Sequence, residues 1–192
     1  MEISNFEKEK LQNYVNFLLE YNEKINLIGK STVEDIWNRH IIDSFQIMKL
    51  IENKNIKLAD LGSGAGLPGI VLSICGIKEV HLFEKSPRKC EFLEKAKKFS
   101  DNKIIIHNVN ISIIKDKTYD VIVSRALGNM DLLLNFSMNL KKEGTKCIFL
   151  KGKKVFEELE EAKKAWNIEY KLIESITSSE SRIVKINSFC KK

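Results

Sequence analysis

The order of apolar segments predicts an α/β chain with a mostly parallel seven-stranded sheet, an antiparallel C-terminal edge, and helices added ahead of the first strand. Three observations carry that prediction. From residue 56 onward, short apolar runs alternate with runs of helical period. A glycine-rich turn, Asp60-Leu-Gly-Ser-Gly-Ala-Gly66, joins one apolar run to a helix opened by Pro68, and the next run, Val80-His-Leu-Phe-Glu84, ends in an acid. Ahead of residue 56 the pattern is helical.

The elements follow in order. Leu11, Tyr14, Val15, Leu18 and Leu19 recur at 3.6-residue spacing and predict a helix over 4–29. Thr32 with Asp35 resembles a helix cap, with Asp where Glu is usual, and a second helical region runs through Trp37 and Ile41 to residue 50. The polar connector Glu52-Asn-Lys-Asn55 divides a helical extension packed on the core (1–55) from a Rossmann-like domain (56–192). That domain reads as strand 57–61, helix 68–75, strand 80–84 and helix 87–99. In the last of these, Ser86 is the expected cap, Pro87 takes the first position, and Phe92, Leu93, Ala96 and Phe99 share one face. Strands 104–107 and 119–124, helix 129–140, strand 145–150 and helix 154–166 come next. The runs 170–176 and 182–189 are too close for a parallel crossover, so an antiparallel pair is expected.

Composition narrows the class. A chain of 192 residues, 43% apolar and 30% charged, supports a full hydrophobic core. No run approaches the ~18 apolar residues of a membrane span, and the first ten residues lack a signal-peptide layout, so a cytoplasmic protein without a membrane partner is expected. Cys75, Cys90, Cys147 and Cys190 have no metal spacing, and Cys75 and Cys147 sit in apolar segments, as buried thiols in a reducing compartment do. The net charge of +6 is too modest to imply nucleic acid by itself. Its distribution says more: Lys85, Arg88 and Lys89 follow the second strand, Arg125 the fourth, and Lys151, Lys153 and Lys154 the fifth. Those are strand carboxyl ends, where α/β proteins bind ligands.

Missing side chains at Gly62, Gly64 and Gly66 let a ligand approach the backbone, and Glu84 is placed to accept from both hydroxyls of a ribose. Asp60 either ties down the turn through backbone N–H groups or touches ligand. Gly64-Ala-Gly-Leu-Pro-Gly69 matches the dinucleotide fingerprint literally, but it starts later than the strand-turn junction requires. Read as Asp60-x-Gly62-x-Gly64-x-Gly66, the turn resembles motif I of class I S-adenosylmethionine-dependent methyltransferases.

The resemblance extends over nearly the whole chain. Tyr21-Asn-Glu-Lys-Ile-Asn-Leu27, Arg39-His-Ile-Ile-Asp43-Ser44, the 60–70 turn, Ser124-Arg-Ala126, Leu150-Lys-Gly152 and Arg182-Ile-Val-Lys185 resemble, in that order, the RsmG (GidB) family of bacterial 16S ribosomal RNA guanine-N7 methyltransferases. The resemblance implies S-adenosylmethionine held at Gly62, Leu67, Asn110, Ile111 and Arg125, and guanosine 527 in the 530 loop as target. It also implies a 30S subunit or its precursor as the substrate rather than naked RNA. Where the family commonly has an acid, this chain has Ile111, which moves adenine recognition toward packing and the Asn110 side chain. Self-association is not expected.

Guanine N7 already carries a lone pair, so transfer needs alignment and electrostatics rather than a base. Arg125 is the expected catalytic position, holding cofactor, RNA or both, with a structural ion pair as its other reading. Arg39, His40, Asp43 and Ser44 sit at one-turn spacing. There His40 is expected to pair with Asp43 or Ser44, and Arg39 to reach RNA phosphate, unless the set only packs and caps its helix. Lys151 is a phosphate candidate or else a solvated surface lysine, and Arg182 and Lys185 are supporting RNA contacts or rim charges. Other chemistries fit less well: no cysteine follows the fourth strand for cytosine C5 attack, and Ser124-Arg-Ala-Leu127 is not the Asn/Asp-Pro-Pro-aromatic motif of exocyclic-amine transfer. A small-molecule O-methyltransferase, needing a base such as His40, and a noncatalytic RNA-binding protein are the remaining alternatives.

Overall fold

The structure, a computed structural model, describes residues 2–115 and 117–192. Its centre is a seven-stranded sheet in the order β3-β2-β1-β4-β5-β7-β6. The strands are β1 (Lys57–Leu61), β2 (Glu79–Glu84), β3 (Lys103–Asn108), β4 (Tyr119–Arg125), β5 (Lys141–Lys151), β6 (Trp166–Glu174) and β7 (Arg182–Lys191). Strands β1 to β5 pair in parallel. The last two form the antiparallel hairpin that their short connection dictates. Within it β7 is the reversed strand and is inserted between β5 and β6, so β6 forms the outer edge.

Strand alternation sorts the core into two layers. Leu58, Val80, Leu82, Val121 and Val123 face one side, with α3 (Gly69–Ile74) and α4 (Pro87–Ala96). Ala59, Leu61, Phe83, Ile122, Cys147 and Phe149 face the other, with α5 (Met130–Met138) and α6 (Val155–Ala165). The N-terminal helix α1 (Asn5–Asn22) joins the first layer through Leu11, Tyr14, Val15 and Leu18, and Phe17 stacks on Phe92 with 5.5 Å between centroids. Burying such side chains stabilises by about 1.5–3 kcal/mol each, which fixes α1 on α3 and α4 rather than leaving it as a free arm.

Several boundaries differ from the sequence pattern. A Ser4–Glu7 capping box starts α1, but the helix stops at Asn22 although apolar residues continue to 28. The Asn22 carboxamide accepts from the amides of Leu27 and Ile28, both at 2.9 Å, and folds the chain back. The expected Thr32–Asp35 cap does not form. Thr32 lies in a 3-10 turn and its hydroxyl donates to Gly29 O at 2.7 Å. The second helical region, here α2, runs through a π-helical turn (Trp37–Ile42), one α-helical turn (Asp43–Phe45) and a 3-10 segment (Gln46–Leu50). Ser86 precedes α4 but makes no side-chain cap, and Pro87 begins the helix as expected. Cys75, Cys90 and Cys147 are buried and Cys190 is exposed. No helix among the described residues is long and apolar enough to cross a membrane.

Candidate active site

The strand order reverses between β1 and β4, and the glycine turn occupies the carboxyl end of β1 at that switch point. Gly62, Gly64 and Gly66 all have positive φ (69°, 55° and 83°), a region that side chains disfavour. At Gly62 a Cβ would come within 2.5 Å of Leu127 Cδ1, so the turn is also pressed against the loop after β4. The amides of Gly62 and Ser63 both donate to Phe83 O, at 2.9 and 3.0 Å, which hangs the turn from β2. Glu84 finishes the attachment: its carboxylate accepts from Gly64 N at 3.0 Å and Ser86 N at 2.8 Å.

Asp60 lies fully buried beneath the turn, and its Oδ2 accepts from Gly69 N at 2.9 Å. Burial pushes its carboxyl up to about 7, against the lowering effect of the Gly69 bond and of nearby Arg125. Of the two readings of Asp60 in the sequence, the geometry is that of a residue tying down the backbone. The α1 helix also reaches the turn: the buried Tyr14 hydroxyl donates to Ala65 O at 2.6 Å, and burial pushes this phenol above its usual range.

A cavity of about 650 Å³ opens above the turn. Its floor includes Gly62, Gly64 and Leu67, and its walls include Arg39, His40, Arg125, Lys151 and Arg182. Residues distant in sequence are brought together here. Arg125 ends β4, and Ala126 follows with a positive φ of 56°, turning the chain sharply away. The Arg125 guanidinium donates to Arg39 O at 3.1 Å and lies 3.5 Å from Asp43 Oδ2. Asp43 Oδ1 accepts from Gln46 Nε2 at 2.9 Å and Thr177 Oγ1 at 2.7 Å, so the loop between β6 and β7 is latched to α2 beside the cavity. The ion-pair reading of Arg125 is therefore realised in a residue that also faces the cavity.

His40 pairs with neither Asp43 nor the Ser44 side chain, contrary to expectation. Its Nε2 lies 2.7 Å from Thr32 Oγ1, while Ser44 Oγ donates to the His40 backbone oxygen at 2.6 Å. His40 lies within the π-helical turn. Burial, with Arg125 and Arg39 nearby, lowers its pKa to about 4, so the ring is neutral at physiological pH. Lys151 is another departure: it is no open phosphate ligand. Its side chain is only 7% exposed, and Nζ lies 2.5 Å from both Gly128 O and Glu158 Oε2.

Other sequence candidates lie off the cavity. Glu84 and Gly66 are not among its lining residues: Glu84 sits beside the turn, accepting from Gly64 N, and Gly66 packs against Ile70 and Leu93. Asn110 caps a 3-10 turn by accepting from Ser112 N at 3.1 Å, and Ile111 is buried in the second apolar layer. Lys185 lies within β7, is not among the cavity's lining residues, and donates to Leu50 O at 3.3 Å, which ties the sheet to the end of α2. Arg182 does line the cavity, with NH1 donating to Ser179 O and Ser181 O. Sequence reasoning missed Thr32, Thr177 and Glu158 as cavity residues. None carries a motif, and only Glu158 had a local hint, being placed on the helix after the Lys151-Gly152 strand end.

The sheet order, the single reversed strand and the glycine turn at the switch point define a Rossmann-like methyltransferase fold. A solved S-adenosylmethionine-dependent methyltransferase from Aquifex aeolicus shares it, with a TM-score of 0.62 at 17% identity over 83% of this chain and 98% of that one. The family described as GidB, rRNA small subunit methyltransferase G, matches residues 7–186, and the chain belongs to that family. Ribosomal RNA small subunit methyltransferase G of Rickettsia prowazekii is 43% identical over 183 residues, covering 95% of each chain. The protein of the same name from Rickettsia typhi is 41% identical, covering 100% of this chain and 99% of its own.

Proposed function

We propose that the protein transfers the methyl group of S-adenosylmethionine to N7 of guanosine 527, in the 530 loop of 16S ribosomal RNA, on the 30S subunit or a late precursor. One observation carries the reading: in a chain of this family, a glycine turn at the carboxyl end of β1 opens into a cavity walled by the ends of β4 and β5. When bound, the cofactor supplies an electrophilic methyl group on a sulfonium. The chain fits such a group, because the turn presents backbone without side chains at Gly62 and Gly64. Leu67 adds an apolar surface there.

On this reading Glu84 serves two tasks. It holds Gly64 in place, and its remaining lone pairs receive the ribose hydroxyls at the same edge of the turn. Asn110 and Ile111, which follow β3, flank the adenine, with packing by the buried Ile111 layer replacing a carboxylate. Asp60 and Gly66 support the turn from behind. Arg125 keeps donors beyond those engaged by Arg39 O and Asp43, and a guanidinium fixed on one side suits an anionic group of the bound cofactor or RNA. Arg39 and Arg182 supply the cationic rim for phosphate. His40 is neutral and tied to Thr32, which suits a wall rather than a proton carrier.

The test is labelled methyl transfer to undermethylated 30S subunits, followed by nucleoside analysis and mapping. 7-Methylguanosine at the 530-loop position is the expected product. Cofactor binding without transfer to the subunit, or transfer only to small acceptors, would overturn the proposal.

A further inference from the structure

The Lys151–Glu158 pair is not explained by cofactor binding. It sits at the far wall of the cavity, where β5 ends, and touches the loop after β4 through Gly128. Two opposite charges at 2.5 Å, with side chains only 7% and 21% exposed, are costly to desolvate and add little stability over an apolar pair. Their partners are also incomplete. Lys151 Nζ donates to Gly128 O and lies against Glu158 Oε2, which leaves at least one of its three N–H groups without a partner. Glu158 Oε2 is buried and, although it touches the ammonium, receives no well-aligned hydrogen bond. Glu158 lines the cavity, and its second oxygen, Oε1, accepts no hydrogen bond from the described residues, so the carboxylate keeps acceptor capacity beyond Lys151.

A guanine ring presents a fixed sequence of groups. N7 and O6 are acceptors, and around the ring from O6 come the N1–H and N2–H donors. A guanine whose N7 met the methyl group of a cofactor seated on the glycine turn would hold O6 and the Watson–Crick edge on its free side, where Lys151 and Glu158 line the same cavity. The wall offers the complementary order, an ammonium donor beside a carboxylate acceptor. Adenine would reverse both groups, setting an N–H donor against the ammonium and a lone pair against the carboxylate. Enzymes that act on an extruded base commonly read it through that edge.

We infer that Glu158 is the guanine-selecting residue, accepting from N1–H and N2–H of the target base while Lys151 donates to O6. The inference rests on the N7-methylation reading above. It also assigns Glu158 a part in the chemistry. In transfer, the N7 lone pair forms the new N–C bond as the methyl–sulfur bond breaks and its electron pair leaves on sulfur. The positive charge passes to the purine, and the N1 proton becomes more acidic but stays on N1. A carboxylate hydrogen-bonded there interacts more strongly with the transition state than with the ground state, so it raises kcat as well as binding.

The experiment compares wild type, Glu158→Gln and Glu158→Ala on undermethylated 30S subunits carrying either the target guanosine or inosine, which lacks only the N2 amino group. Single-turnover methyl transfer is the readout, with cofactor affinity by calorimetry as a control for folding. Wild type should prefer guanosine about tenfold, the scale of one charged hydrogen bond. Glu158→Gln should transfer roughly 10–100-fold more slowly to guanosine at unchanged cofactor affinity. In Glu158→Ala the guanosine preference should fall toward one. If the variants slow both substrates equally and keep the preference, Glu158 only holds Lys151 and the inference fails. It fails as well if wild type methylates both substrates alike. If wild type methylates neither subunit, the N7-methylation reading itself is lost.

Discussion

Replacing Gly66 with Ala tests how the glycine turn is built, because its neighbour Gly64 provides a matched control. Both have positive φ, 83° and 55°, where an L side chain costs roughly 1–2 kcal/mol. Only Gly66 is also crowded. A Cβ there would lie 2.4 Å from Ile70 Cδ1, 2.7 Å from Ile70 Cγ1 and 3.1 Å from Leu93 Cδ2. Ile70 and Leu93 are fully buried and cannot swing into solvent, so overpacking adds roughly 1–3 kcal/mol. At Gly64 the nearest such atom is Gly62 O at 3.9 Å. Gly66→Ala should therefore destabilise by about 2–5 kcal/mol and Gly64→Ala by about 1–2 kcal/mol. Urea unfolding followed by circular dichroism measures both. Cofactor affinity should rank them the other way, because Gly64 faces the cavity and donates to Glu84 whereas Gly66 does neither. Equal destabilisation, or a larger loss at Gly64, would refute the assignment of Gly66 to packing and Gly64 to the ligand face.

Asp60→Asn should change the pH dependence of stability. The folded pKa of Asp60 is raised from 3.8 to about 7, so the native state binds the extra proton and this group's contribution falls as pH rises from about 4 to about 7. His40 and His107, both lowered from 6.5 to about 4, act in the opposite sense, losing stability as pH falls between those values. Subtracting the stability curve of the Asp60→Asn variant from that of wild type isolates the Asp60 contribution, and parallel urea-unfolding curves would show that its pKa is not raised. Glu84→Gln should raise the dissociation constant for S-adenosylmethionine by about tenfold or more, since a charged hydrogen bond is worth roughly 1.5–3 kcal/mol; unchanged binding by calorimetry would reject the ribose role. Arg125→Ala should lower methyl transfer on the order of a hundredfold while Lys192→Ala, at the exposed chain end, leaves it intact; equal activities would remove Arg125 from the site.

The sequence by itself determined the layers, the strand-helix order and the position of the glycine turn, because these depend on local periodicity and on glycine's access to positive φ. It also determined the hairpin, whose short connection allows no parallel crossover. Tertiary structure alone decided which polar groups meet. The α2 helix carries Asp43 to the end of β4, where it holds Arg125, and the β6–β7 loop supplies Thr177 to the same carboxylate. His40, within a π-helical turn, meets Thr32, eight residues earlier in the chain and beyond any one-turn pairing. Lys151 became a buried partner of Glu158 because α6 folds back over the end of β5. Backbone conformation is selected within a few residues of chain, whereas the desolvation and pairing of a charge depend on what the folded chain places beside it.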